Sequence, residues 1–263
     1  MSNINVLIVE GNNPKDSEVF IKAAKASCAE NLKNIVLTLE PLSNITIINP
    51  ANDNETKDVL EKMSNYNGII FTGGAMRLND MTSEIKKHIT FAANCFKHSN
   101  KILAICWGLQ VCSAAAGGKV APGKNGAHID IATNVEINEE GKKNPIYKNK
   151  KIKFNTPAFN FDEVSELPNG ATLLASDKVN KIMGVYFKSG NSEVWGLQYH
   201  PDYEYWQMIN LSHARMGKMI AKEYFKDKEV FDKHIDLIKS EEKNLDFKNK
   251  THEIRNWLDI IKN

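Results

Sequence analysis

Two short segments of this chain carry residue types able to perform acyl transfer. Cys106 ends the apolar run Ile102-Leu103-Ala104-Ile105 and is followed at once by the helix-compatible Trp107-Gly108-Leu109-Gln110. A nucleophile on such a strand-to-helix turn stands exposed on a strained backbone. The unpaired N–H groups and dipole at the helix start favour thiolate over thiol. Gly108 removes side-chain bulk where the turn crowds the neighbouring strand. Most free cysteines are only small buried hydrophobes. Cys28, Cys95 and Cys112, each inside an expected helix, are assigned to that packing role.

The second segment is Val194-Trp195-Gly196-Leu197-Gln198-Tyr199-His200-Pro201-Asp202. Pro201 stops the strand, which fixes His200 at a strand terminus. A neutral imidazole beside the thiol can take its proton and leave a thiolate–imidazolium pair. A carboxylate should then orient the ring and stabilise its cation. Asp202 is the favoured candidate and Glu204 the alternative, although acidic residues here also complement the dipole of the next helix. Acyl transfer further needs donors aimed at a developing oxyanion. The run Gly68–Phe71 ends at Thr72-Gly73-Gly74, where the two glycines let backbone amides turn toward a ligand, and the Trp107 amide is a second donor. No Gly-Lys-Ser/Thr follows the glycines, so a phosphate-binding loop is disfavoured.

Elements able to position these residues are legible around them. Ile4–Val9, Ile45–Ile48, Gly68–Phe71 and Ile102–Ile105 read as buried strands. Helices are expected from an Asp16 or Ser17 cap to Ala29, over Glu55–Met63, over Thr82–Lys97 and over Leu109–Ala116. This alternation predicts an α/β fold with a mainly parallel sheet and helices on both faces. Ligands of such sheets sit at the C-terminal ends of strands, where Cys106 falls. From Ala127 to Tyr199 the runs Ile129–Ile137, Ile152–Phe154, Ala171–Ala175, Ile182–Phe187 and Val194–Tyr199 add antiparallel strands. Helix returns over Tyr203–Phe225, Val230–Lys243 and His252–Ile261. One domain over residues 1–225 is expected, with a helical extension over 226–263 packed on it.

The bulk numbers narrow the class. A hydrophobic content of 42% and a charged content of 25% over 263 residues predict an ordinary buried core. A net charge of +2 gives no reason to expect nucleic acid or an acidic membrane as partner. No basic leader precedes Val9 and no window approaches the roughly 20 apolar residues of a membrane span. The four cysteines form no CxxC pair, so neither a metal site nor a redox motif is indicated and a reducing, cytoplasmic setting is expected.

In combination these residues resemble the class I glutamine amidotransferases, the Cys-His-Glu group that includes the glutaminase domain of GMP synthetase. Three landmarks match in order: Thr72-Gly73-Gly74, Cys106-Trp107-Gly108-Leu109-Gln110, and Gly196-Leu197-Gln198-Tyr199-His200-Pro201. Asp162-Glu163-Val164, followed by Leu167-Pro168-Asn169-Gly170-Ala171, is similar to another recurrent block. Glu253-Ile254-Arg255-Asn256-Trp257-Leu258 resembles the tail of free-standing, GMP-synthetase-like members. The resemblance implies a flavodoxin-like sheet and a thioester mechanism without a cofactor: Cys106 attacks the amide carbon, ammonia leaves, and water releases glutamate. It also implies that Gly73, with Gly74 beside it, and the Trp107 amide form the oxyanion hole, and that Gln110 helps hold glutamine. Three residues depart from the pattern. Ala104 stands where the elbow usually begins with glycine, Trp107 replaces a smaller or aliphatic residue, and Asp202 replaces a glutamate.

The expected function is release of ammonia and glutamate from a small γ-glutamyl amide, with the ammonia passed to a separate synthase partner. One alternative is a stand-alone hydrolase of γ-glutamyl amides or conjugates. The other is a catalytically quiet binding or regulatory relative.

Overall fold

A computed structural model of the chain describes residues 3–51, 53–98 and 100–262. Met1 and Ser2, the start of the segment read as lacking a basic leader, lie outside the described residues. The strands begin with β1 (Asn5–Val9), β2 (Asn44–Ile48), β3 (Gly68–Phe71) and β4 (Lys101–Ile105). After these come β5 (Lys119–Pro122), β6 (Ile131–Ile137), β7 (Lys153–Pro157) and β8 (Asp162–Glu166). The last are β9 (Thr172–Ser176), β10 (Gly184–Ser189) and β11 (Ser192–Leu197).

Nine of them form one sheet in the order β2-β1-β3-β4-β11-β10-β9-β6-β7. The first five are parallel neighbours, which is the flavodoxin-like order, and the rest join antiparallel. Strand β1 shows why the sheet needs cover on both faces. Its Val6 and Ile8 point into one core layer and its Leu7 and Val9 into the other, as the two-residue period requires. The first layer is closed by the helices Cys28–Leu39 and His252–Lys262, the second by Ser83–Cys95 and Trp107–Ala115. A third cluster joins the helices Tyr205–Ala221 and Lys228–Glu242 to Ile131. No helix among the described residues is long and apolar enough to cross a membrane.

The C-terminal helix is tied to the strand end that carries His200. Glu253 is fully buried and pairs with Lys150 at 2.8 Å. Its carboxylate also accepts from the Tyr199 hydroxyl at 2.6 Å. Charges this deep persist only when paired and hydrogen-bonded.

One expectation needs correction. The helix read from Asp16 or Ser17 to Ala29 is two helices, Pro14–Ala24 and Cys28–Leu39. Asn13 caps the first, accepting from the Asp16 N–H, with Pro14 in the first helical turn. Lys25 ends it in the left-handed region at φ 65°, and Ser27 caps the second. No glycine or proline marks that break, so the sequence reads through it as one helix. The small β5–β8 ribbon is silent in the sequence, because its strands are only four and five residues long and show no apolar alternation.

Candidate active site

Strands β1, β3, β4 and β11 run parallel and end on one edge, so the segments leaving them converge. Cys106 leaves β4 with φ 51° and ψ −106° and becomes the N-cap of the Trp107–Ala115 helix. A non-glycine residue in this region stores about 1–3 kcal/mol of strain. Its neighbours hold it there: the Cys106 N–H donates to Leu197 O at 2.7 Å, and its carbonyl accepts from Gln110 N at 3.2 Å. The Gly108 N–H donates to Thr72 O at 3.0 Å, and a Cβ on Gly108 would lie 2.5 Å from Phe71 O. Glycine is therefore required for the elbow to sit against β3. Ala104 is within β4 and outside the set of positive-φ residues, so the missing elbow glycine costs nothing in conformation.

His200 follows β11, and its backbone N–H donates to Pro157 O at 2.8 Å. Its Nδ1 lies 3.1 Å from Asp202 Oδ1. Asp202 is completely buried. The aspartate reaches the ring despite its missing methylene. Burial acts to lower the pKa of His200, but the negative charges and hydrogen bonds of Cys106 and Asp202 outweigh it and push it up to about 10. The sulfur and the carboxylate thus favour the charged form of the ring. Glu204 is engaged elsewhere. It forms an ion pair with the buried Lys250 and caps the Tyr205–Ala221 helix, where Gln207 accepts from its N–H at 2.9 Å.

Gly73 lies directly against the imidazole, since a Cβ there would be 2.6 Å from His200 Cε1. The Thr72 hydroxyl fixes this loop by accepting from Gly11 N and donating to Gly73 O, each at 2.8 Å. Among the described residues no protein acceptor takes the N–H of Gly73 or of Trp107. These are donors, one next to Cys106 in the chain and one against His200, that a ligand oxygen could satisfy. Gly74 and Trp107 line the same cavity.

Gln110 is 4% exposed, and its side-chain amide donates to Asp162 O at 2.8 Å and to Gln198 Oε1 at 3.4 Å. Its carbonyl oxygen is what remains for a ligand. Gln198 itself approaches Cys106 Sγ at 3.5 Å through its amide nitrogen. Sequence reasoning gives Gln198 no role, yet it stands two residues before His200, and residues two apart along an extended segment share a face.

The cavity above Cys106 has a volume of about 410 Å³, within the usual range for small-molecule sites. Cys106, Trp107, Gln110 and His200 line one part, and Phe20, Phe159, Tyr203 and Arg215 another. The Tyr203 ring packs edge-on against His200, with centroids 5.0 Å apart. Its hydroxyl lies 3.1 Å from Cys28 Sγ, which also accepts from Asn12 Nδ2 at 3.2 Å. Cys28 is therefore packing, as expected, but packing that anchors the wall behind the histidine. Burial pushes its thiol up, as it does for Cys95 and Cys112. Arg77 also borders the cavity and is matched by Asp162, with Nε 2.8 Å from Oδ2.

The chain was compared with known proteins. Residues 23–207 match the family Glutamine amidotransferase class-I. A Gamma-glutamyl-L-1-hydroxyisopropylamide hydrolase from Pseudomonas sp. is 28% identical over 78% of this chain and 70% of its own length. A glutamine-hydrolyzing GMP synthase subunit from Methanococcus vannielii is 31% identical over 64% of this chain and 76% of its own. The crystal structure of a glutamine amidotransferase from Thermotoga maritima superposes with a TM-score of 0.69, covering 99% of each chain at 17% identity, and so shares the fold. A sequence match over most of the length, on a sheet of the same architecture, has one reading: this chain belongs to the class I glutamine amidotransferases.

Proposed function

We propose that the chain hydrolyses γ-glutamyl amides through a thioester on Cys106, with His200 as acid and base and Asp202 as its orienter. The observation that carries this is the His200–Asp202 hydrogen bond on the cavity that Cys106 lines, with Gly73 against the imidazole and, among the described residues, no protein acceptor on the N–H of Gly73 or Trp107. The sulfur, as thiolate, attacks the amide carbon, a C–S bond forms, and the carbonyl electrons move onto oxygen facing the two amides. Collapse restores the carbonyl and breaks the C–N bond, and the leaving nitrogen takes the proton from His200. Water then adds to the thioester and gives a proton to His200. The C–S bond breaks, and glutamate and the thiolate–imidazolium pair are regenerated. Gln110 supports the γ-glutamyl group through its free carbonyl oxygen.

The likeness to a γ-glutamyl amide hydrolase favours independent action. The likeness to a GMP synthase subunit supports a second reading, delivery of ammonia to a separate synthase. Glutamate release from glutamine and from γ-glutamyl alkylamides, measured with and without cell extract, separates the two. A glutamine-like diazo-ketone is expected to label Cys106 and to leave Cys106→Ala unlabelled. Absence of labelling under all conditions would favour a quiet binding relative instead.

A further inference from the structure

Arg215 lines the same cavity and has no role in the chemistry above. It is half-buried, and its guanidinium carbon lies 5.3 Å from the centroid of Phe20 and 5.1 Å from that of Phe159. Two aromatic faces fix a planar cation in orientation. They offer no hydrogen-bond acceptor in return. Among the described residues the Arg215 guanidinium makes no hydrogen bond and no ion pair, though its backbone lies within the Tyr205–Ala221 helix. Arg77, on the same cavity, differs in this respect, because Asp162 holds its charge. A guanidinium positioned by rings and left without an anion is a binding group awaiting one.

Geometry decides which part of a substrate it meets. The scissile carbon must lie over Cys106, and the leaving nitrogen must face His200 to take its proton. From His200 the wall continues through Tyr203, at 5.0 Å between centroids, to Phe20, a further 6.2 Å, and Phe20 flanks Arg215. Gln110, which supports the γ-glutamyl group in the reading above, is held by the main chain of Asp162. Ammonia, the leaving group of glutamine, has no atoms to occupy this extension. Lys218 and Lys222 also line the cavity, so its charge toward an entering group is positive.

We infer that Arg215 binds a carboxylate on the amine side of the scissile bond, so that γ-glutamyl amino acids or peptides are preferred over glutamine and γ-glutamyl alkylamines. The inference rests on the amide-hydrolysis reading above.

The test is the ratio of kcat/KM for γ-glutamylglycine to that for γ-glutamylglycinamide, which differ only in the carboxylate. The wild-type protein is expected to favour the carboxylate by ~10-fold or more, mainly through KM, the range expected of a charge-assisted hydrogen bond. Arg215→Gln should bring the ratio near one, and Arg215→Lys should keep part of it. Because each ratio is taken within one preparation, partial unfolding of a variant cancels. A wild-type ratio near one overturns the inference and leaves amide hydrolysis standing. A parallel loss on both substrates in Arg215→Gln, with the ratio intact, also overturns it, since Arg215 would then hold the glutamyl carboxylate. Failure to release glutamate from either compound or from glutamine overturns both readings.

Discussion

His200 and His88 are both almost wholly buried, and burial by itself should keep both imidazoles neutral. His88 behaves that way: burial brings its pKa down to about 4. Both of its ring nitrogens lack a hydrogen-bond partner among the described residues. Its neighbour is the perpendicular ring of Trp107, 4.8 Å away between centroids. His200 goes the other way, to about 10, against the pull of its own burial. The difference lies in company, since one ring faces an aromatic edge and the other stands between Cys106 and Asp202. Trp107 belongs to both surroundings, with its ring on the packing side and its N–H beside the sulfur. Depth therefore does not set the direction in which a buried histidine shifts on this protein; anionic partners do.

The largest effect expected from this contrast is on rate. His200→Ala should lower kcat/KM for γ-glutamyl amides by on the order of 10³-fold. His88→Leu, which replaces an unsatisfied polar ring with an apolar side chain, should stay within about threefold of wild type. Steady-state glutamate release beside thermal melts checks the pair. Equal losses would mean that the comparison records destabilisation and not chemistry.

Asp202→Asn comes next, with an expected loss on the order of 10²-fold as the ring loses its counter-charge and its orienting acceptor. Its sign in pH is also fixed. Because His200 keeps its proton to about pH 10, the supply of acid for the leaving nitrogen should fail only as pH rises through that value. Removing the Asp202 charge should move this alkaline limb to lower pH. An unmoved limb in the kcat/KM profile would separate Asp202 from the titration of the ring.

The same contrast explains which residues the sequence exposes to a reader. The parallel half is legible because β1, β3 and β4 are short apolar runs that must be buried on both faces, and Cys106 and His200 are legible because each ends such a run. Asp202 is readable only as a choice between two acids, since a spacing of two or four residues past the histidine does not say which side chain turns back. Gln198, Tyr203 and Arg215 carry no local signal. Each acts on the site through a neighbour distant in the chain, Cys106, Cys28 or the Phe20–Phe159 pair. The break between Lys25 and Ser27 is hidden for a related reason, because a left-handed lysine has no sequence mark.

Stability should repeat the opposition between the two rings with reversed sign. The His88 pKa is lowered from 6.5 to about 4, so between those values the unfolded chain binds a proton that the folded one refuses. The stability tied to His88 is complete above pH 6.5 and falls as pH drops toward 4, by up to about 3 kcal/mol. His200 has a raised folded value, so its contribution is complete below pH 6.5 and is lost as pH climbs through about 10. Denaturant midpoints against pH should show His88→Leu flattening the acid side and His200→Ala flattening the alkaline side. A His88→Leu curve with the wild-type acid slope would show that carboxylates, not this imidazole, set the loss.

The smallest change in rate is expected at the carboxylate that competes with Asp202 in sequence. Glu204 is bound to Lys250, whose side chain is 3% exposed while that of Glu204 is 34% exposed. Glu204→Gln leaves a buried ammonium short of a charge, which should cost about 1–3 kcal/mol once solvent at the glutamate is allowed for. The rate should change less than about threefold, and the alkaline limb should stay in place. If Glu204→Gln instead lowers kcat as Asp202→Asn does and shifts the limb, the ring takes its counter-charge from Glu204 during turnover. The contrast between the two histidines would survive that outcome with a different anion on the His200 side, because it requires a carboxylate there and is indifferent to which residue supplies it.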